Sequence, residues 1–244
     1  ELGSGSQEML KRVQHDKSGK YLIIKESKAS KKGFVHLSKW LHKAQKMWEE
    51  KRGEKAGSMD IYQRLDRIRG ITGQKPSAKY KVLYPASATY LCGCVVEKKP
   101  IKIKIEGQDI ELQGFVAESK EYYFETDKKA EAYYLCSILN SPTIDELIKP
   151  LQSRGLFGPR DIHKKVLELP IPEFDPSSEN HIELARLGEE CTKKVSKLLS
   201  KGTPTKTSAE LVSASIGNLR KMIKAELAEE IKEIDGIVRG ILKK

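Results

Sequence analysis

The last quarter of the sequence admits few folds. From Leu211 to Leu242, apolar residues Ile216, Leu219, Ile223, Leu227, Ile231, Ile234, Ile237, Val238 and Ile241 recur at three- and four-residue steps, the period that places them on one face of a helix. Before the break Gly202-Thr203-Pro204, the stretch His181 to Leu199 repeats the pattern with Ile182, Leu184, Ala185, Leu187, Cys191, Val195, Leu198 and Leu199. Two apolar seams separated by a breaker predict an antiparallel helical hairpin closing the chain.

The middle of the sequence has a different period. Lys79–Tyr84 and Tyr90–Glu97 are rich in aromatic and β-branched residues, and Ile101, Ile103 and Ile105 alternate with Lys102 and Lys104 before Gly107-Gln108, Ile110 and Leu112. Period two predicts strands, the last pair a hairpin with one wet face. With Phe115–Val116 and Tyr122–Phe124, a sheet of five to seven strands is expected. Asp127 stands where it could cap a helix through Leu139, and Pro142 where it could start another. Further upstream, Leu37, Trp40, Leu41, Ala44, Met47 and Trp48 form one helical stripe, both tryptophans being read as core, with Ser38 as its cap. Asp60–Arg69 reads as a second helix with Leu65 inward, its arginines outward and Gly70 closing it. The fold class is therefore α+β: a central mixed or antiparallel sheet, flanking helices and a C-terminal helical hairpin. The expected domains are a linker and extension over 1–35, an α+β domain over 36–176 and a helical arm over 177–244.

Charge narrows the function. The first hundred residues carry 22 basic and 10 acidic side chains, a net +12 against +11 for the whole chain, and a cationic field of this kind attracts a polyanion through counterion release. No apolar run approaches the roughly 20 residues of a membrane span, and the opening Glu1-Leu2-Gly3-Ser4-Gly5-Ser6 reads as linker without the features of a secretory signal. An intracellular, cytoplasmic protein is expected. Cys92, Cys94, Cys136 and Cys191 form no CxxC pair; Cys92 and Cys94 read as small buried hydrophobes on one strand face, and no metal site is expected.

Catalytic signatures are missing from the string. Neither GxGxxG nor GxxxxGK[ST] occurs, and Asn140-Ser141-Pro142-Thr143 lacks the second proline and the aromatic ring used for adenine amino-group chemistry, so it reads as a helix-to-helix junction. Asp109 and Glu111 lie in an alternating hairpin without a lysine at the place that a nuclease site needs. Asp161 and His163 have no nucleophile beside them.

Three strings nevertheless carry a resemblance: Tyr133–Ser141, Gly155–Lys164, and Leu169-Pro170-Ile171-Pro172 followed by His181. Together they resemble the C-terminal target-recognition (specificity) region of N6-adenine DNA methyltransferases, including fused restriction-modification enzymes of Type IIG character. Tyr62–Asp66, Lys79–Tyr84 and Ile234–Val238 resemble the same family, so the likeness runs from about residue 35 to the end. It implies sequence-specific binding of double-stranded DNA, without catalysis by this chain. S-adenosylmethionine would be held by an N-terminal methyltransferase domain or subunit, the other partner besides DNA. In that reading Lys75, Lys79 and Lys81 neutralise phosphates, while Arg64, Arg67, Arg69 and Gln74 address base edges. Arg160, His163 and Lys164 face the target strand, with Asp161 holding Arg160. Phe157 is a core anchor between Gly155 and Gly158. The competing expectation is a helical specificity subunit that docks on a separate methyltransferase or nuclease subunit; an RNA-binding module has less support because no aromatic stacking pair of the usual kind is recognisable.

Overall fold

A computed structural model describes residues 20–105, 108–112, 114–118, 120–152, 154–155, 158–159, 161–200 and 209–242. In chain order the elements are α1 (Glu26–Lys31), α2 (Val35–Lys51), α3 (Ile61–Leu65), β1 (Tyr80–Pro85), β2 (Cys94–Glu97), β3 (Ile101–Ile105), β4 (Gln108–Leu112), β5 (Glu121–Thr126), α4 (Lys129–Leu139), α5 (Pro142–Ile148), β6 (Arg154–Gly155), β7 (Gly158–Pro159), α6 (Glu179–Ser200), α7 (Ala209–Glu226) and α8 (Ala228–Leu242). The class is α+β, as expected. The described helices include none long and apolar enough to cross a membrane.

Two compact units divide the chain: residues Glu1–Ala78 with Glu97–Ser119, and residues Lys79–Val96 with Lys120–Lys244. This differs from a boundary near 176. The C-terminal helices are no separate arm, because Leu184, Leu187, Ile234, Val238 and Ile241 share one core with Val82, Ile138 and Ile144.

In the first unit, α1 packs on α2, and α2 is clamped to the loop that follows it. Trp48 Nε1 and Arg52 Nη1 both donate to the Met59 carbonyl, at 2.7 and 3.0 Å, and Gln45 Oε1 accepts from Ile61 N at 3.0 Å. The helix begins at Val35, so Ser38 lies inside its first turn and does not cap it. The predicted stripe splits: Leu41 is buried and Trp48 half-buried, whereas Trp40 is 61% exposed and Met47 is also exposed. The turn of the β3–β4 hairpin lies outside the described residues. Its ladder sets Lys102 opposite Glu111 and Lys104 opposite Asp109, an arrangement of opposite charges that stabilises antiparallel strands.

In the second unit a three-stranded sheet of order β2-β1-β5, with β1 and β5 antiparallel, carries α4. It is smaller than the five to seven strands expected. Residues 91–93 use their backbone groups on side chains instead of a ladder: Leu91 N donates to Asp145 Oδ1 at 2.8 Å, Gly93 N to Asn140 Oδ1 at 3.2 Å, and the Gly93 carbonyl accepts from Asn140 Nδ2 at 2.9 Å. Pairing therefore starts only at Cys94, and Phe115–Val116 is not strand. Cys92 and Cys94 are exposed, not buried; Cys136 is buried.

Asp127 does not cap α4. Its Oδ1 accepts from Lys79 N at 3.1 Å, and Thr126 Oγ1 takes the Lys128 N–H at 3.0 Å. Pro142 does begin α5, so Asn140-Ser141 is a helix junction. The long final seam is interrupted at buried Leu227, although i→i−4 bonds continue on both sides, from Leu227 N to Ile223 O and from Ile231 N to Leu227 O.

Candidate nucleic-acid interface

The arginine-bearing turn of the first unit is built by two carboxylates. Asp60 and Gln63 form a capping box, Gln63 N donating to Asp60 Oδ1 at 2.6 Å and Asp60 N to Gln63 Oε1 at 2.9 Å, which starts α3. After one and a half turns of helix and the 3-10 turn Arg67–Arg69, the Asp66 carboxylate gathers three donors. Ile71 N and Thr72 N reach Oδ1 at 2.9 Å each, and Thr72 Oγ1 reaches Oδ2 at 2.7 Å. Partial burial would raise the Asp66 pKa, but these hydrogen bonds and the nearby Arg69 charge outweigh it and hold the carboxyl below its ordinary range.

That anchor imposes strain. Arg69 takes φ 58°, the left-handed region, while Gly70 is right-handed at φ −62°; a non-glycine residue held there costs on the order of 1 kcal/mol. The glycine thus does not end the helix in the expected way. Leu65, expected inward, is exposed.

Arg67 lies on the wall of an open cleft of about 860 Å³, together with Lys25, Lys55, Tyr62, Gln63 and Asp66. Lys25 Nζ is 3.8 Å from Asp60 Oδ2 and 5.6 Å from the centre of the Tyr62 ring. Arg67, Arg69 and Lys75 are exposed and Arg64 is half-buried. Around the Tyr62 ring the wall sets three cations, Lys25, Lys55 and Arg67, beside two carboxylates, Glu54 and Asp66. Lys25 and Lys55 were hidden among the many lysines of a basic segment. The charge sum locates the field but does not say which cations share a concavity.

Two of the residues expected to touch DNA are structural. Gln74 is 1% exposed; its Nε2 donates to the Gly70 and Ala117 carbonyls and its Oε1 accepts from Ala117 N at 2.9 Å. A side-chain amide engaged at both ends inside the fold presents nothing to a base. Lys81 is buried on β1 and sits 3.4 Å from Glu125 Oε1, its direct cross-strand partner, with both side chains under 10% exposed. Its charge serves the carboxylate, so it is not placed for a phosphate.

Lys79, His163 and Lys164 belong to the second unit and are exposed; Arg160 and Phe157 lie outside the described residues. His163 has φ 40° and is pinned by its backbone. Its N–H donates to the Ala86 carbonyl at 2.9 Å, and its carbonyl accepts from the Tyr84 hydroxyl at 3.2 Å. Burial, with Tyr122 beside it, pushes the Tyr84 hydroxyl up to about 12, which keeps that donor protonated. The His163 ring meets Tyr122 edge-on at 6.2 Å, and Nε2 is 3.8 Å from Asp161 Oδ1. Asp161 therefore faces His163.

The ten expected DNA residues thus fall in both units, and the first unit alone brings Arg64, Arg67, Arg69 and Lys75 near one another in sequence on a built turn. Comparison with family models, with curated proteins and with solved structures finds no match.

Proposed function

We propose that this chain binds double-stranded DNA as the target-recognition portion of an adenine-specific, S-adenosylmethionine-dependent DNA methyltransferase of restriction-modification type. The supporting observation is the anchored turn that exposes Arg67 and Arg69 beside a cleft carrying Lys25 and Lys55. Arg67 and Arg69 address base edges, because a guanidinium pairs bidentately with guanine. Lys25, Lys55 and Lys75 neutralise phosphates and set position; in the second unit, Lys79, His163 and Lys164 remain exposed. Gln74 and Lys81 have no part in the contact. Methyl transfer belongs to a separate domain or subunit that holds the cofactor. The methyltransferase part of the reading rests on the ordered strings Tyr133–Ser141, Gly155–Lys164 and Leu169–Pro172.

The helical docking subunit has less support, because Ile234, Val238 and Ile241 are already buried in the core of their own unit.

Duplex titrations across salt concentrations test the proposal. Log affinity should fall with log salt at about −0.9 per phosphate contacted, and a flat response overturns it. Selection from random duplexes should return a site containing adenine. Arg67→Ala should relax the preference within that site, whereas Lys55→Ala should weaken all duplexes about equally.

A further inference from the structure

On α2, Trp40, Lys43, Met47 and Lys51 follow one another at three- and four-residue steps, and all four are exposed. They line an open groove of about 580 Å³ whose floor includes Trp48 and Ile61. Trp48 is fixed from behind by its hydrogen bond to the Met59 carbonyl, so the groove has a held inner wall and an exposed aromatic lip. The Trp40 indole at this lip stands 61% exposed.

The order of residues along the stripe decides between occupants. Lys43 stands within the apolar line, between Trp40 and Met47, and Lys51 closes the line at the end of the helix. A protein helix laid into the groove would bury the Lys43 ammonium group under apolar side chains, a placement that interfaces avoid and that costs several kcal/mol for an unpaired ion. A single nucleic-acid strand meets the same pattern favourably, since bases stack on an indole face while phosphodiesters take the intervening cations. The helical rise places Lys43 and Lys51 about 12 Å apart along the axis, a span that an extended strand of two to three nucleotides covers. The surplus of positive charge in this part of the chain complements such a ligand and repels a basic one.

We propose that this stripe is a binding site for single-stranded nucleic acid, with an unpaired base stacked on Trp40 and phosphates on Lys43 and Lys51. The site is separate from the cleft at Arg67 and does not depend on the duplex reading above.

The test uses the full chain with a labelled oligo-dT of roughly 15 nucleotides and a duplex of equal length, comparing the parent with Trp40→Ala, Trp40→Phe and the double variant Lys43→Gln/Lys51→Gln. Trp40→Ala should weaken oligo-dT binding about tenfold, in line with base–aromatic stacking of roughly 1–3 kcal/mol, and leave duplex affinity within about twofold. Trp40→Phe should restore most of the loss, and the lysine pair should reduce the salt slope. Oligo-dT should quench the parent's tryptophan fluorescence but not that of Trp40→Ala, although Trp48 remains. Unchanged oligo-dT affinity in Trp40→Ala, with its thermal melt intact, overturns the proposal. So does quenching by an acidic amphipathic peptide that oligo-dT cannot reproduce. Loss of duplex binding alone, with Trp40-dependent oligo-dT binding intact, counts against the target-recognition reading and leaves this site standing.

Discussion

The Tyr134 hydroxyl donates to the Pro172 carbonyl at 2.9 Å. This bond joins two of the three strings on which the family resemblance rests, and His181, which follows Pro172 in the same string, lies against the same ring at 4.6 Å with Phe174 at 5.4 Å. Residues of these two strings meet inside the second unit, where they hold α4, the 169–174 segment and the start of α6 together. Their role is architectural. Tyr134→Phe keeps the packing and removes one hydrogen bond, so it should cost about 1 kcal/mol in a urea melt and leave duplex affinity unchanged. A larger effect on binding than on stability would place this cluster at the DNA.

Lys81 gives a sharper contrast between a DNA contact and a structural charge. Removing one partner of a buried ion pair can cost up to roughly 3–5 kcal/mol, whereas replacing both by apolar residues of similar volume is often close to neutral. Lys81→Ala should therefore lower the denaturation midpoint strongly, and Lys81→Met combined with Glu125→Leu should recover most of it. Duplex binding by the folded double variant should match the parent. Weak binding with restored stability would return Lys81 to the interface.

Where α6 crosses α4, Gly188 permits close approach. A Cβ there would clash with Ser137 Oγ and stand 2.6 Å from the Tyr133 carbonyl oxygen, while Ser137 Oγ itself reaches the Leu184 carbonyl at 2.6 Å. Alanine gains roughly 1 kcal/mol of helix propensity but meets an overpacking cost of about 1–3 kcal/mol, at the upper end because one obstacle is backbone. Gly188→Ala should destabilise by about 2 kcal/mol in chemical denaturation, and adding Ser137→Ala should recover only part, since the carbonyl remains.

Periodic features were legible in the sequence because each is local. The alternation from Ile101 to Leu112 and the seams of α6 and α8 carry their own partners at fixed spacing, and both appear where expected. Gln74 and Lys81 were misread because their partners, Ala117 and Glu125, lie more than forty residues away, and a polar side chain looks the same whether it faces water or a distant carbonyl. Trp40 was misread for a related reason. A six-residue apolar stripe is wider than the surface that α1 and the 52–61 loop cover, so its outer edge is left in solvent. At the arginine turn Arg67 and Arg69 stand outward as the spacing predicted, but the left-handed Arg69 follows from the Asp66 hydrogen bonds, which no spacing rule announces.

Acid should act on the second unit through Asp235. From α8 this carboxylate accepts the Thr143 N–H at 2.8 Å and the Ser141 hydroxyl at 2.6 Å, capping α5 from outside, and it pairs with Arg239 at 2.8 Å. Burial alone would raise its pKa, but the hydrogen bonds from Ser141, Thr143 and Arg239 prevail and bring it down to about 2. A folded pKa below the unfolded value of 3.8 means that the stabilisation is fully present above about pH 5 and is lost as pH falls through 4 towards 2. The size of the shift corresponds to about 2 kcal/mol. Asp235→Asn keeps an acceptor for Thr143 but cannot titrate, so the difference in unfolding free energy between parent and variant should shrink by about that amount between pH 6 and pH 2. Other carboxylates held below their ordinary range, such as Glu230 beside Lys194, contribute to both proteins and cancel in the difference. A gap that stays constant across that range would show that Asp235 is not the group through which acid loosens the junction of α5 and α8.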